Sequence, residues 1–266
     1  YRLSGNSAAL VTLPTAPSGL PPIHEAERAW RATHPIPGKG ATKEETERFH
    51  RAREQAARTW IAQWPDEAVP YLYRFTALDK LPETSEQDLV AAGTALIEFD
   101  RQHAGRASMT PPVLTVAQAY VDRGIQLDAI PAMIDAGISQ AEQRRGIPEY
   151  DLFDDRNHRL NEQTRYTARI QARQIQFQWA LKTANEADAG AALQAMRADI
   201  DELWKVTTQQ GLAQSLDADY WTRKAQLAER QGRTAEAEQA RTAATNRRRP
   251  AQEESPFRLD PLTDKP

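Results

Sequence analysis

The stretch YWTRKAQLAERQGRTAEAEQA, Tyr220–Ala240, decides how the fold of this chain is interpreted. It contains two short patterns typical of helices, and a single glycine, Gly232, separates them. Ala225 and Ala237 would let the two helices approach closely, and a glycine at a helix end permits the positive φ of a tight turn. The stretch therefore predicts a helical hairpin.

A second stretch has the same form and lies 108 residues earlier, counted from Gly124 to Gly232. It begins at Val113 and reads VLTVAQAYVDRGIQLDAIPAMIDAGISQAEQ. At this offset the matched pairs are Val113 with Trp221, Ala117 with Ala225, Ala129 with Ala237, and Ala136 with Ala244. Two matches with the same internal spacing predict that the hairpin is repeated.

The rest of the chain from residue 42 also has helical patterns with short breaks. Thr42 and Glu45 have the spacing of a capping box. One face of the following helix carries Phe49, Arg53, Ala56, Trp60 and Trp64. A helix predicted over residues 163–183 has apolar stripes on two faces, which indicates burial between other helices.

These patterns predict an all-α protein of stacked helical hairpins that behaves as one unit. The array spans residues 42–249. Residues 1–41 are predicted as an extended N-terminal arm, because four prolines among small residues leave no helical period in the first 23 positions. Residues 250–266 are predicted as a C-terminal linker or tail.

Composition limits the function more than it defines it. The 266 residues are 40% hydrophobic and 27% charged, with a net charge of −3 and no cysteine. The absence of cysteine excludes thiol catalysis, disulfides and cysteine-ligated zinc in this chain. The charge balance gives no footprint for nucleic acid, and no apolar run reaches the ~20 residues of a membrane span. We therefore predict a protein or peptide partner, no nucleic acid and no membrane-spanning segment.

The hairpins resemble the tetratricopeptide (TPR) repeat family, whose pattern is W-x₂-L-G-x₂-Y followed by A-x₃-F. In the last hairpin Trp221, Ala225, Gly232 and Ala237 occupy family positions, whereas Lys224, Ala228 and Arg241 depart from it. In the earlier hairpin the matching residues are Val116, Ala117, Tyr120, Gly124, Ala129 and Met133. The resemblance implies a superhelix whose concave face is lined by the first helix of each pair, with Gln118, Asp122, Gln226 and Arg230 as candidate binding residues.

The stretch AQAYVDRGIQLDAIPAMIDAGISQAEQ also resembles the helical region that precedes a thioredoxin-like domain in secreted bacterial TlpA-type disulfide reductases. This resemblance implies a periplasmic or secreted protein, with a Cys-x-x-Cys domain beyond residue 266. The chain begins at Tyr1 instead of methionine, which we interpret as a processed or trimmed end.

Candidate catalytic groups are few. The five histidines, His24, His34, His50, His103 and His158, form no ligand pair at helical spacing, and solvated or capping roles are favoured. Asp151, Asp154, Asp155 and His158 could suit a calcium-type site, but the EF-hand spacing is absent and helix capping is favoured. We predict a non-catalytic interaction or scaffold module with no cofactor and no metal site. The alternatives are an acid-rich, metal-dependent hydrolase with a site assembled across helices, and a small-molecule-binding helical domain.

Overall fold

The structure, a computed structural model, describes residues 22–103, 111–143, 155–207 and 209–248. These ranges contain α-helices, one 3₁₀ turn and no strand, which confirms the all-α prediction. The helices are α1 Pro22–Thr33, α2 Lys43–Gln63, α3 Ala68–Lys80, α4 Glu86–Gln102, α5 Pro112–Arg123, α6 Ile130–Gln143, α7 Asp155–Lys182, α8 Glu186–Val206, α9 Gln210–Arg230 and α10 Thr234–Arg248.

The chain divides into two compact units, Tyr1–Leu89 and Val90–Pro266, and the division falls within α4. The sequence predicted one array over residues 42–249 and gave no sign of this division. Helical periodicity reports which face of a helix is buried, but it does not report which neighbour buries that face.

In unit 1, α1 to α3 share a core that contains Ile23, Trp60 and Tyr73. The extended arm predicted for residues 1–41 is wrong for residues 22–33, which form α1. Proline is compatible with the first turn of a helix, so Pro22 starts α1 and does not break it. The predicted capping box is confirmed at α2, where the Thr42 Oγ1 accepts from the Glu45 amide at 3.2 Å and the Glu45 carboxylate accepts from the Thr42 amide at 2.8 Å.

The described part of unit 2 contains three helical hairpins, α5–α6, α7–α8 and α9–α10, and the helices of each pair pack together. Each first helix ends at a residue with positive φ, namely Gly124 (71°), Ala184 (57°) and Gly232 (69°). We call these three the turn residues. In each case the turn residue and its successor donate backbone hydrogen bonds to the last turn of the helix, for example Asn185 N to Ala180 O at 2.8 Å and Arg233 N to Ala228 O at 2.8 Å. This is the Schellman pattern, which satisfies carbonyls left free at a helix end.

Burial repeats in the same register around the turn residues. Seven residues before each turn residue lie Ala117, Phe177 and Ala225, and four before it lie Tyr120, Ala180 and Ala228, and all six are buried. The second helices α8 and α10 also have buried residues at equal distances from their turn residues. At five, eight and twelve residues after Ala184 and Gly232 the pairs are Ala189 with Ala237, Ala192 with Ala240, and Met196 with Ala244. The α7–α8 and α9–α10 hairpins are therefore equivalent at an offset of 48 residues, from Ala184 to Gly232.

The offset of 108 residues holds only in the first helices. Ala136 was matched with Ala244, but Ala136 is exposed whereas Ala244 is buried. Ala129, matched with the buried Ala237, lies half-buried in the 3₁₀ turn Leu127–Ala129. This turn delays the start of α6 and moves its buried stripe to Ile130, Ile134 and Gly137. The equivalence of the second helices was therefore predicted wrongly.

Helix α7 lies at the centre of unit 2 and packs against α5, α6 and α8. Both of its predicted apolar faces contain fully buried residues, Ile170 and Phe177 on one and Ala172 and Ile175 on the other. Tyr166, Trp179 and Leu181 on these faces are only partly buried. Its arginines also join the neighbouring helices through ion pairs. Arg165 and Arg169 bind Glu142 of α6 at 3.0 and 2.9 Å, and Arg169 binds the buried Asp199 of α8 at 2.7 Å.

A second buried carboxylate, Asp217 of α9, accepts from Arg197 of α8 at 2.5 Å and from Arg247 of α10 at 2.7 Å. Buried carboxylates with such partners fix the pairing of helices, because an unpaired charge would be costly at the same place.

Candidate functional sites

The four predicted binding residues lie at equivalent positions of the first helices in unit 2. Gln118 and Gln226 stand six residues before their turn residues, and Asp122 and Arg230 stand two before them. The α7 residues in the same register are Gln178 and Lys182. We call these six residues the first-helix face.

Hydrogen bonds connect this face from one hairpin to the next. Gln118 of α5 donates to the Gln178 side chain of α7 at 2.6 Å and to Asp122 at 2.7 Å. Lys182 at the end of α7 donates to the Asp122 carbonyl at the end of α5, at 2.9 Å. Arg230 at the end of α9 donates to a carbonyl at the end of α7, that of Leu181, at 2.8 Å. This acceptor stands three residues before its turn residue, whereas Asp122 stands two before its own.

The donors Lys182 and Arg230 thus occupy the same place relative to their turn residues and perform the same task. A cation near the C-terminal end of a helix also interacts favourably with the helix dipole. Arg230 and the Gln118 amide therefore form hydrogen bonds between hairpins. The Gln226 side chain and the Asp122 carboxylate remain exposed on this face.

Unit 1 contains an open cleft of about 240 Å³ that the sequence did not predict. We call it the aromatic cleft. Its lining comes from α1, from the segment that connects α1 to α2, from α2 and from α3, and consists of Trp30, Arg31, Ile36, Pro37, Thr46, Phe49, His50, Arg53 and Tyr73. Ile36 is a large apolar residue with 71% of its surface exposed.

Aromatic rings form one wall of this cleft around Trp30. The Trp30 ring lies 5.5 Å from the Phe49 ring and 6.5 Å from the Tyr73 ring, measured between centroids. Its stacking partner is His34, at 4.7 Å with an interplanar angle of 7°. Centroid distances of this size are typical of favourable aromatic contacts, so the rings hold one another in place.

Two arginines differ in how they are paired at the cleft. Arg31 binds Glu27 at 2.6 Å and donates through Nε to the Tyr73 hydroxyl at 3.0 Å, and that hydroxyl also donates to Glu27. The Arg53 guanidinium instead lies over the Tyr73 ring, 3.9 Å from its centroid. Among the described residues, no carboxylate lies within ion-pair distance of Arg53, and its buried Nε has no hydrogen-bond partner.

The electrostatics of the cleft follow from burial. Burial lowers the pKa of Arg53 against the opposing influence of Tyr73, and Arg31 lowers it further. Burial also lowers the pKa of His50, with a contribution from the charge of Arg53, so His50 is neutral at pH 7. For Glu27, burial acts to raise the pKa, but the Tyr73 hydroxyl and Arg31 outweigh it and the pKa is lowered. The cleft is therefore lined by two guanidinium cations and by no carboxylate, since Glu27, which binds Arg31, is not part of its lining.

One signal in the sequence pointed to Arg53. It is the only charged residue in the stripe Phe49, Arg53, Ala56, Trp60 and Trp64. A charge on an apolar helix face is either paired or placed at a site, and the sequence could not distinguish these cases.

Other predicted groups have simple structural positions or lie outside the described residues. His34 and His103 each contact a carbonyl in the last turn of their helices, Trp30 O at 3.1 Å and Phe99 O at 2.9 Å, which confirms a capping role for both. The side chains of Asp151, Asp154, Asp155 and His158 lie outside the part of the chain that the structure describes. Within that part, no group of three or more His, Asp or Glu residues could hold a metal ion. No helix there combines the length and apolar character that a membrane span requires.

Comparison with protein-family models, with curated proteins and with solved structures found no match to this chain.

Proposed function

We propose that this protein is a non-catalytic interaction module of the TPR-like type, which binds an extended protein or peptide segment along the first-helix face of unit 2. The observation that carries this proposal is the repetition of one hairpin geometry in tandem. Three hairpins end their first helix in the same turn, and Lys182 and Arg230 each donate a hydrogen bond to a carbonyl at the end of the preceding first helix. Stacked hairpins of this kind present elongated surfaces that suit extended ligands.

The chemistry of the exposed residues agrees with a peptide ligand. The Gln226 amide offers both donors and an acceptor, and the Asp122 carboxylate accepts hydrogen bonds. An extended peptide presents backbone N–H and C=O groups in alternation, so groups of both kinds on one face can bind it.

A peptide selection can test this proposal. The full chain is used to select from a library of random displayed peptides, and the affinities of the selected peptides are measured by calorimetry. Gln226→Lys should weaken their binding at least tenfold, because it replaces an amide on the first-helix face with a bulkier cation. The matched control is Gln239→Lys, the same change at an exposed glutamine of α10. The proposal is wrong if no peptide is selected, or if both variants bind the selected peptides equally well.

The resemblance to TlpA-type proteins supports a narrower proposal, in which this chain is the helical portion of an exported disulfide reductase. The gene sequence downstream of residue 266 tests it. A thioredoxin-like domain with Cys-x-x-Cys would support the narrower proposal. A stop codon, or a following domain without that motif, would refute it and leave the interaction module unaffected.

A further inference from the structure

We propose that the aromatic cleft of unit 1 binds an organic carboxylate with an aromatic or apolar body, whose carboxylate pairs with Arg53 and whose body packs against Trp30 and Phe49. This site lies within unit 1, and the proposal does not depend on a peptide site in unit 2.

The first reason is that Arg53 has no carboxylate partner among the described residues. A half-buried guanidinium is normally paired with an anion, because removing its charge from water has a large free-energy cost. The Tyr73 ring offsets part of that cost, since a cation over an aromatic face is attracted by the electrons of the ring. The charge of Glu27 acts to raise the pKa of Arg53, but the Glu27 carboxylate is bound to Arg31 and to the Tyr73 hydroxyl. Arg53 thus lines the cleft with hydrogen-bond donors that no described carboxylate uses.

The second reason is the planar geometry of the guanidinium. Arginine presents its donors in a fork that matches the two oxygens of a carboxylate. The ring of Tyr73 supports Arg53 at 3.9 Å, and the Tyr73 hydroxyl is itself held by Arg31 and Glu27. The cation is therefore positioned before any ligand arrives, which reduces the entropy lost on binding.

The third reason is the size and lining of the cleft. Its volume of about 240 Å³ is below the 300–1,000 Å³ typical of drug-sized ligands, so it suits a single aromatic or branched aliphatic group. Trp30, Phe49 and the exposed Ile36 supply an apolar surface for that group. His50 is the neutral neighbour of Arg53 in the lining, and its buried Nδ1 has no hydrogen-bond partner among the described residues.

A carboxylate with such a body occurs both in small aromatic acids and at the C-terminus of a peptide that ends in phenylalanine. The probes are therefore 3-phenylpropionate, its neutral isostere 3-phenylpropanamide, and the tripeptide Gly-Gly-Phe with a free C-terminus. Binding to the full chain is followed through the chemical shift of the Trp30 indole N–H, which is assigned with Trp30→Phe. Small ligands of this size should bind with a dissociation constant in the millimolar to high-micromolar range.

We expect 3-phenylpropionate to bind at least tenfold more tightly than the amide. Arg53→Gln, which retains hydrogen-bonding capacity without the charge, should remove that preference, and Arg53→Lys should keep part of it. Arg58→Gln is the matched control, because Arg58 also lies on α2 but pairs with Glu54 and does not line the cleft. Circular dichroism of each variant confirms that the helices remain folded.

The outcomes separate the possibilities. Tighter binding of Gly-Gly-Phe than of 3-phenylpropionate would identify a peptide terminus as the natural source of the carboxylate, and the reverse order would identify a small acid. Equal binding of acid and amide, an unchanged preference in Arg53→Gln, or no binding of any probe would overturn the proposal. None of these results would affect the peptide selection on unit 2.

Discussion

Ala184 is the one turn residue in unit 2 that is not glycine, and exchanging alanine and glycine at these positions should change stability in opposite directions. The backbone at Ala184 has φ of 57°, a left-handed conformation that a side chain disfavours by about 1–2 kcal/mol. Glycine removes that penalty but loses about 0.4–1 kcal/mol through the greater freedom of the unfolded chain. Ala184→Gly should therefore stabilise unit 2 by about 0.5–1 kcal/mol.

The reverse substitution, Gly232→Ala, should destabilise unit 2 by about 1 kcal/mol. A methyl group at Gly232 would meet no atom within 4 Å, so the predicted loss comes from the backbone conformation alone. Gly190→Ala is the control, because Gly190 is helical, lies in α8 and also has open space around it. It should stabilise by about 0.5–1 kcal/mol, as expected for alanine in a helix interior.

Urea unfolding followed by far-ultraviolet circular dichroism measures all three variants. The midpoint should rise for Ala184→Gly and for Gly190→Ala and fall for Gly232→Ala, with unchanged slopes. A lower midpoint for Ala184→Gly would refute the reasoning, because it would show that the turn tolerates alanine without strain. A shift in the same direction for both alanine substitutions would likewise refute the distinction between the helical and left-handed positions.

Three further predictions follow from close packing, capping and a buried carboxylate. Gly137→Ala should destabilise by about 1–2 kcal/mol, because the new methyl carbon would lie 2.5 Å from the buried Leu114 Cγ and overpacking outweighs the gain in helix propensity; an unchanged urea midpoint would contradict this. Thr42→Ala should cost about 1 kcal/mol and speed hydrogen exchange at the Glu45 amide, which Thr42 caps, and unaltered exchange would show that the cap is dispensable. Burial raises the pKa of Asp199 although Arg169 and Arg173 oppose it, so the folded state holds this proton more tightly than the unfolded chain does. The stability that this group contributes is therefore fully present below the unfolded pKa of about 3.9 and is lost as the pH rises through the folded pKa. Asp199→Asn should accordingly gain stability relative to the wild type as the pH rises from 4 towards 7, and urea midpoints with a pH-independent difference would exclude this.

The sequence alone determined the class of fold and the position of two turns. Apolar residues at spacings of three and four define helices locally, and Gly124 and Gly232 mark helix ends because glycine accepts a positive φ. The capping box at Thr42 was visible for the same reason, since both of its residues lie within one turn of chain. The helix α1 was missed because the prolines before it suggested an extended arm, although Pro22 fits a first turn.

Only the tertiary structure decided how the helices are matched and where the sites lie. The hairpin α9–α10, which turns at Gly232, is equivalent in both of its helices to α7–α8, which turns at Ala184. The sequence does not show that this alanine has a left-handed conformation, because alanine is not a residue typical of such turns. Its conformation is imposed by the helices that it joins, so it becomes visible only when they are packed. In the same way, the sequence places Arg53 on an apolar helix face but does not show its contacts. That the guanidinium lies over the Tyr73 ring and not against an anion is decided by the packing of α3, which carries Tyr73. Local patterns specify which residues are helical and which face is apolar, whereas contacts between residues far apart in the chain specify what each face meets.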